Sequence, residues 1–238
     1  MMTTSNKPRL LSIANTVAYG VNASVTFGWP FVSGKTNADL GTSYQTLITP
    51  NAAAFSIWGL IFLAQAIFVI STLASKRLMT HPLVVDGVGF KYVFICLAQA
   101  AWTPIFGHEM MALSAALLGC ILLGLLAIIK SQYSTVSKIA ERETSGNSAL
   151  LTWKTYWLLQ FPFDAHAGWI VAAFALGTNV LVVSLGGSAR AQVIVAALSL
   201  VVLAITSAVW LALERPLVTL PLVAAWATVS DPFNTMLL

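Results

Sequence analysis

Residues 110–129 read MMALSAALLGCILLGLLAII, an uninterrupted run of twenty residues without a charged side chain. A helix that spans a membrane needs about 20 apolar residues, because each residue advances roughly 1.5 Å through a hydrocarbon layer about 30 Å thick. The run therefore predicts a transmembrane helix. The composition agrees, since 58% of the residues are hydrophobic and 8% are charged, whereas soluble domains carry roughly 25% charged residues.

Six further apolar runs alternate with short polar linkers, so the chain predicts an all-α integral membrane protein with seven spans. The last run contains Pro221 and is short, so it fits either a full span or a re-entrant or interfacial segment. The hinge Gly107-His108-Glu109 predicts a tight hairpin between the third and fourth spans. The predicted spans are 10–31, 52–74, 90–107, 110–129, 157–185, 191–213 and 216–230.

The distribution of basic residues predicts the orientation of these spans. Ten Lys and Arg residues lie in the N-terminal tail and in alternate linkers, and only Lys35 and Arg190 lie in the others. Cytoplasmic linkers retain basic residues, so a multi-pass protein with its N-terminus on the cytoplasmic-type side is predicted. The same rule accounts for the net charge of +4, so the lipid bilayer is the expected partner and no nucleic acid is implied.

Two linkers are long enough to have a structure of their own. Residues 131–155 are polar and mixed in charge, which predicts a solvated loop with a short surface helix. Residues 32–50 carry little charge and contain several turn-forming residues, so we expect them to fold over the outer mouth of the bundle.

Asp164 and His166 are the ionisable residues that would cost most at membrane depth, and such residues are candidates for function. Two positions apart on a helix, they point about 200° away from each other and form no simple dyad. If Pro162 breaks the helix, both instead lie at a kinked entrance. His166 fits haem ligation, proton transfer or, more commonly, a hydrogen bond to a neighbouring helix, and Asp164 fits a helix cap, an inter-helix acceptor or a binding site.

Two sequence motifs resemble those of the TspO/MBR family, the translocator protein and tryptophan-rich sensory proteins. Residues 91–106, KYVFICLAQAAWTPIF, resemble the family's third helix, L-x-L-N-x-x-W-x-P-x-F-F. Residues 50–62, PNAAAFSIWGLIF, are similar to the start of its second helix. This chain differs at Gln99, where the family usually has Asn, and its spacing from Phe55 to Trp58 is one residue shorter.

A third motif completes the resemblance over roughly residues 10–185. Residues 158–179 are similar to the fifth helix, L-L-x-P-Y-x-x-W-x-x-x-A-x-x-L-N, although Asn179 follows Trp169 by ten positions rather than eight. Asp164 and His166 replace apolar or aromatic residues of that motif. Spans six and seven have no counterpart in the five-helix members, so the chain resembles a longer, divergent branch.

The resemblance implies a five-helix bundle at 10–185, and the apolar runs and polar start of the chain add a tail at 1–9 and additional C-terminal transmembrane helices at 186–238. The resemblance also implies a pocket, facing the first connecting loop, for a flat hydrophobic ligand such as a porphyrin, haem or a sterol-like lipid. No further cofactor is required, and a homodimer is compatible with the sequence. The candidate ligand-binding residues are Phe55, Trp58, Gln99, Trp102, Pro104, Phe163, Asp164, His166, Trp169 and Asn179.

Two other classes of function stay open from the residues alone. A small-solute or proton-coupled transporter would use Asp164 and His166 as its titrating pair. A structural subunit of a membrane complex would use small residues such as Gly119 and Gly124 to bind partner helices. An enzyme is not predicted, because no nucleotide loop, metal-ligand cluster or catalytic triad pattern is present in the sequence.

Overall fold

The computed structural model describes residues 6–34, 37–142 and 150–228, and these residues form helices joined by short connections. A 3₁₀ turn at Ala52–Ser56 leads into α3, and a π-helical turn at Leu83–Val88 precedes α5. The α-helices are α1 Lys7–Ser33, α2 Asn37–Ser43, α3 Ile57–Ala74, α4 Lys76–Met79, α5 Lys91–Gly107, α6 Met111–Arg142, α7 Trp153–Leu159, α8 Phe161–Ser184, α9 Ala189–Leu211 and α10 Thr219–Thr228.

The long helices confirm an all-α membrane protein. Four helical segments of the described chain are long and apolar enough to cross a bilayer, namely Ala52–Ala74, Met111–Glu141, Phe161–Ser184 and Ala189–Leu211. Helices α1 and α5 coincide with the first and third predicted spans but fall outside this set. Helix α1 begins at Lys7, within the predicted tail 1–9, and the division of the chain into tail, bundle and additional helices stays a prediction. The total of seven spans stays a prediction.

Helix α6 corrects the prediction of a solvated loop after residue 129. The helix continues to Arg142, well past the predicted span end, because this stretch contains neither glycine nor proline. Gln132, Thr135 and Ile139 are buried and continue the inward face of the apolar part. Residues 143–149 lie outside the described part of the chain.

The predicted fifth span, 157–185, is divided into α7 and α8. Pro162 has no N–H, and the N–H of Phe163 bonds to Gln160 rather than to the carbonyl of Leu159. Gln132 of α6 donates to that carbonyl at 2.6 Å, which satisfies the group left free by the break. The break therefore lies at Gln160, and Asp164 is in the first turn of α8.

The predicted seventh span, 216–230, contains only the ten-residue helix α10 among the described residues. At about 1.5 Å per residue such a helix covers roughly half of the hydrocarbon layer. It runs along α8, where a Cβ on Gly168 would lie 2.6 Å from the carbonyl oxygen of Leu220. Only glycine permits this close contact between α8 and α10.

Helices α1 and α5 run parallel, with Asn15 near Gly89 at one end and Trp29 against Gly107 at the other. Their contact includes a polar seam, in which the hydroxyls of Thr26 and Thr103 lie 3.4 Å apart. Small and polar side chains let two helices approach closely within a bilayer. The buried polar residues on α1 recur with helical spacing and are Ser12, Asn15 and Asn22.

Helix α8 is the centre of the bundle. It packs against α3, α6, α9 and α10, and α6 in turn packs against α5. Its first half is almost wholly buried, from Pro162 to Ala172. The chain thus surrounds α8 with other helices, and the candidate site lies along one side of it.

Candidate functional site

A cavity of about 210 Å³ lies between α8 and the helices around it, below the connection that joins α1 to α3. Its lining is mainly apolar and comes from six helices, the 3₁₀ turn and the connection itself. The lining residues are Gly41, Leu47, Ile48, Pro50, Phe55, Trp58, Trp102, Phe106, Met111, Ser114, Leu118, Trp169, Ala172, Ala173, Leu176, Gly177, Val180, Leu200, Leu203 and Ala227.

Four of the predicted site residues line this cavity, namely Phe55, Trp58, Trp102 and Trp169. They come from three separated parts of the sequence, and the packing of α3 and α5 around α8 places them on one enclosed surface. The aromatic spacing in the sequence therefore identified a set of residues that lies together in the fold.

The wall formed by α3 and α8, hereafter the α3–α8 wall, consists of rings in edge-to-face contact. The ring centroids of Trp58 and Trp169 are 5.9 Å apart at an interplanar angle of 76°, and those of Phe55 and Trp169 are 5.7 Å apart at the same angle. Edge-to-face pairs are a favoured arrangement of aromatic rings. The indole N–H of Trp169 is buried and has no hydrogen-bond partner.

The opposite wall, formed by α5 and α6 and hereafter the α5–α6 wall, is held by a hydrogen bond. The indole Nε1 of Trp102 donates to the hydroxyl of Ser114 at 2.8 Å. The same indole stacks on Phe106, with centroids 5.2 Å apart and an interplanar angle of 9°. The orientation of Trp102 is thus fixed from two directions.

The connection between α1 and α3 lines one end of the cavity with Gly41, Leu47, Ile48 and Pro50, and the side of the membrane on which this end lies stays a prediction. The hydroxyl of Tyr44 donates to Oε2 of Glu109 at 2.6 Å, which ties this connection to the turn between α5 and α6. The hydrogen bond to Glu109 raises the pKa of Tyr44 above its usual value, with a smaller contribution from burial. The backbone of Glu109 is left-handed, with φ of 61°.

His166 lies behind the aromatic rings and does not line the cavity. Its Nδ1 is 2.9 Å from Nε2 of Gln65 on α3, and Oε1 of Gln65 accepts a hydrogen bond from the hydroxyl of Tyr92 at 3.2 Å. All three side chains are buried. The hydrogen bond to a neighbouring helix that we expected of His166 is therefore confirmed. Nε2 of His166 has no partner.

Asp164 and His166 belong to separate surroundings, as their helical spacing predicts. Asp164 interacts with the hydroxyl of Tyr156, which in turn lies 2.5 Å from the hydroxyl of Thr219 on α10. His166 faces α3 instead. The two side chains do not form the titrating pair that a proton-coupled transporter would need.

The other predicted site residues lie outside the cavity lining. Phe163 is fully buried and packs edge-to-face on Phe68, with centroids 5.0 Å apart. Asn179 donates to Ser199 at 2.9 Å, which links α8 to α9. Gln99 is buried on the face of α5 that contacts α1, and Pro104 is half-buried within α5.

Several residues at or near this site were not predicted from the sequence. Ser114 fixes the orientation of Trp102, and Gln65 forms a hydrogen bond with His166. Gln65 could have been predicted as a site residue, because it is an amide within an otherwise apolar run. Leu200, Leu203 and Ala227 complete the wall from the C-terminal helices. These apolar residues carry no signal in the sequence that separates them from residues facing lipid.

Comparison with known proteins places the whole bundle in one family. A family model described as TSPO-like protein matches residues 10–230. The match extends beyond residue 185, so α9 and α10 also lie within the matched region. Neither the comparison with curated proteins nor that with solved structures gave a match.

Proposed function

This chain belongs to the TSPO-like protein family, and we propose that it is a membrane-embedded receptor, sensor or carrier for a flat hydrophobic ligand. The proposed ligand class is a tetrapyrrole, such as a porphyrin or haem, or a sterol-like lipid. We propose that the protein binds this ligand without transforming it chemically.

The observation that carries this proposal is the set of four aromatic rings on opposite walls of one cavity. Phe55, Trp58 and Trp169 face it from the α3–α8 wall, and Trp102 faces it from the α5–α6 wall. Ligand sites are typically concave and apolar, with few polar groups, and aromatic faces pack well against flat ring systems. These properties suit a planar, mostly apolar molecule.

The size of the cavity sets a condition on binding. Sites for drug-sized ligands commonly measure roughly 300–1,000 Å³, whereas this cavity measures about 210 Å³. A tetrapyrrole therefore requires the cavity to widen. We expect the connection between α1 and α3 to move when the cavity widens. The hydrogen bond that joins it to the bundle, from Tyr44 to Glu109, is exposed to solvent and is therefore weak.

Quenching of tryptophan fluorescence tests the proposal. Protoporphyrin IX and haem would be titrated into the detergent-purified protein and into the single variants Trp58→Phe, Trp102→Phe and Trp169→Phe. We expect saturable quenching at micromolar ligand, with part of the signal lost in each variant. Trp153→Phe is the matched control, because Trp153 is 71% exposed and remote from the cavity. A monodisperse protein that shows no saturable quenching with either ligand contradicts the proposal.

A further inference from the structure

Two buried N–H groups near the cavity have no hydrogen-bond partner. They belong to Trp169, which is 3% exposed and lines the cavity, and to His166, which is 1% exposed and lies one helical turn earlier on α8. Residues three apart share a helix face. Both rings also contact the same neighbour, since each ring centroid lies 5.9 Å from that of Trp58.

The orientation of the Gln65 amide, with Oε1 toward Tyr92 and Nε2 toward His166, corresponds to one of the two tautomers of His166. The hydroxyl of Tyr92 donates to Oε1 of Gln65, so the amide NH₂ of Gln65 is the group that faces His166. That NH₂ can only donate, so Nδ1 of His166 must accept. In a neutral imidazole the proton then lies on Nε2, which makes the unpartnered nitrogen a donor.

The site therefore offers two donors and no matching acceptor. Buried donors without partners are rare in folded proteins, and a group of them calls for an explanation such as an absent ligand. The described lining of the cavity supplies a single polar side chain, the hydroxyl of Ser114, and that hydroxyl already accepts from Trp102. An acceptor for Trp169 and His166 must come from elsewhere.

We propose that the ligand carries a hydrogen-bond acceptor, a carboxylate or carbonyl oxygen, which the N–H groups of Trp169 and His166 bind at the α3–α8 wall. Both N–H groups have almost no accessible surface in the closed cavity and both rings pack against Trp58, so a ligand reaches them when the indole of Trp58 moves aside. The inference rests on the proposed function and specifies it, because it selects the oxygen-bearing members of each ligand class. Hydrogen bonds to an ionised acceptor are the stronger kind, so a propionate side chain suits this position well.

A competing explanation is that both donors face the π-surface of Trp58. His166 and Trp169 each meet Trp58 edge-on, at interplanar angles of 65° and 76°. N–H contacts to aromatic faces are weak but common. In that case an oxygen on the ligand would make no difference to these two residues.

Matched pairs of ligands separate the two explanations. Mesoporphyrin IX carries two propionates, and etioporphyrin has alkyl groups in their place; cholestenone carries a ketone that cholestane lacks. We expect the wild-type protein to bind the oxygen-bearing member of at least one pair about tenfold more tightly. A preference within the porphyrin pair indicates a tetrapyrrole ligand, and a preference within the steroid pair indicates a sterol. In Trp169→Phe and in His166→Phe, the ratio of the affinities for the two members of that pair should fall toward one. Comparing the preference between proteins cancels partitioning of the ligands into detergent, and Trp153→Phe should retain the wild-type value.

Nitrogen-15 NMR of histidine-labelled protein provides a test that needs no core variant, first without ligand and then with it. We expect His166 to show a protonated Nε2 and an unprotonated Nδ1, and addition of mesoporphyrin IX to shift the Nε2 signal. A proton on Nδ1 would overturn the inference. Equal affinity for both members of each pair would overturn it too while leaving the proposed function in place, whereas failure of all four compounds to bind would remove both.

Discussion

The two walls of the cavity use the same kind of residue in opposite ways. On the α5–α6 wall, Trp102 donates to Ser114 and stacks on Phe106. On the α3–α8 wall, Trp169 meets its neighbours only edge-to-face, and its N–H has no partner. One indole has its hydrogen-bonding capacity filled by the protein, and the other does not.

This difference assigns separate roles to the walls. A ring fixed by both stacking and a hydrogen bond has little freedom, so the α5–α6 wall acts as a rigid support. The α3–α8 wall has unpartnered nitrogens on Trp169 and His166, which we propose bind a ligand, and His166 is held in place by Gln65. Changes in the two walls should therefore affect different measured quantities, stability in one and ligand preference in the other.

The largest effect is expected where α10 supports the α3–α8 wall. A side chain at position 168 would collide with the backbone of α10, since a Cβ there lies 2.6 Å from the oxygen of Leu220. We expect Gly168→Leu to lower the free energy of unfolding by about 3 kcal/mol, as overpacking of a core does, and to weaken ligand binding. Thermal unfolding in detergent measures it. Gly20→Leu is the control, because a Cβ added at Gly20 would meet no atom of another part of the protein within 4 Å.

A smaller loss is expected from the polar group that holds the α3–α8 wall. Gln65→Leu leaves Nδ1 of His166 and the hydroxyl of Tyr92 without their partner, and we expect a loss of about 2 kcal/mol in unfolding free energy. Unfolding in denaturant measures it. The double variant Gln65→Leu with His166→Leu should recover part of the loss, because an apolar pair leaves fewer unsatisfied groups. An additive, larger loss in the double variant would contradict this role.

Trp102→Phe tests the α5–α6 wall directly. The change removes the donor to Ser114, so we expect about 1 kcal/mol lower stability. Affinity for mesoporphyrin IX and for etioporphyrin should fall by the same factor, because the lost hydrogen bond lies within the protein. The preference between the two porphyrins is the quantity to measure. If Trp102→Phe alters it as Trp169→Phe does, the division between the walls is wrong.

The smallest effect is expected at the end of the bundle remote from both walls. His81 accepts from the N–H of Leu83 at Nδ1, and its Nε2 lies 3.1 Å from the oxygen of Leu150. Burial lowers the pKa of His81, and nearby Arg77 lowers it further, while the bond to Leu150 acts in the opposite direction. The neutral form is therefore favoured in the folded state.

The sign of the pH dependence follows from this lowered pKa. The contribution of His81 to stability is present above its ordinary pKa and is lost as the pH falls through its lower folded-state pKa. We expect the melting temperature to fall more between pH 7.5 and pH 5 in the wild type than in His81→Gln. Equal falls in the two proteins would show that His81 takes no part. At each pH the preference between the porphyrins should be the same in the two proteins, because His81 does not line the cavity.

Much of the fold could be predicted because apolar length and periodicity are strong signals in a bilayer. The hairpin at Gly107-His108-Glu109 and the ends of α9 follow from them to within a few residues. The extension of α6 to Arg142 could not, because a charged helix and a charged loop have similar composition. The break at Gln160 depends on where Gln132 lies, which is a contact between distant parts of the chain.

The aromatic part of the site was predictable for a different reason from the polar part. Trp58, Trp102 and Trp169 stand in motifs that resemble the TspO/MBR family, the resemblance implied a shared pocket, and all three line the cavity. The placement of Gln99 and Asn179 was not predictable, because a buried amide serves equally well between helices and beside a ligand. Asn179 binds α9, and only the packing of that helix determines this.

The polar seam between α1 and α5 has a consequence for how the protein is made. Helix α1 carries Ser12, Asn15 and Asn22 on the face that α5 covers, and it is absent from the helices apolar enough to span a membrane by themselves. Ribosomes release α1 before α5, so the nascent chain exposes these groups to lipid, where polar groups are costly. Pairing with α5 removes these groups from lipid, so we expect it to stabilise the inserted form of α1. Apolar substitutions in the seam should accelerate insertion while removing the register that pairs the two helices.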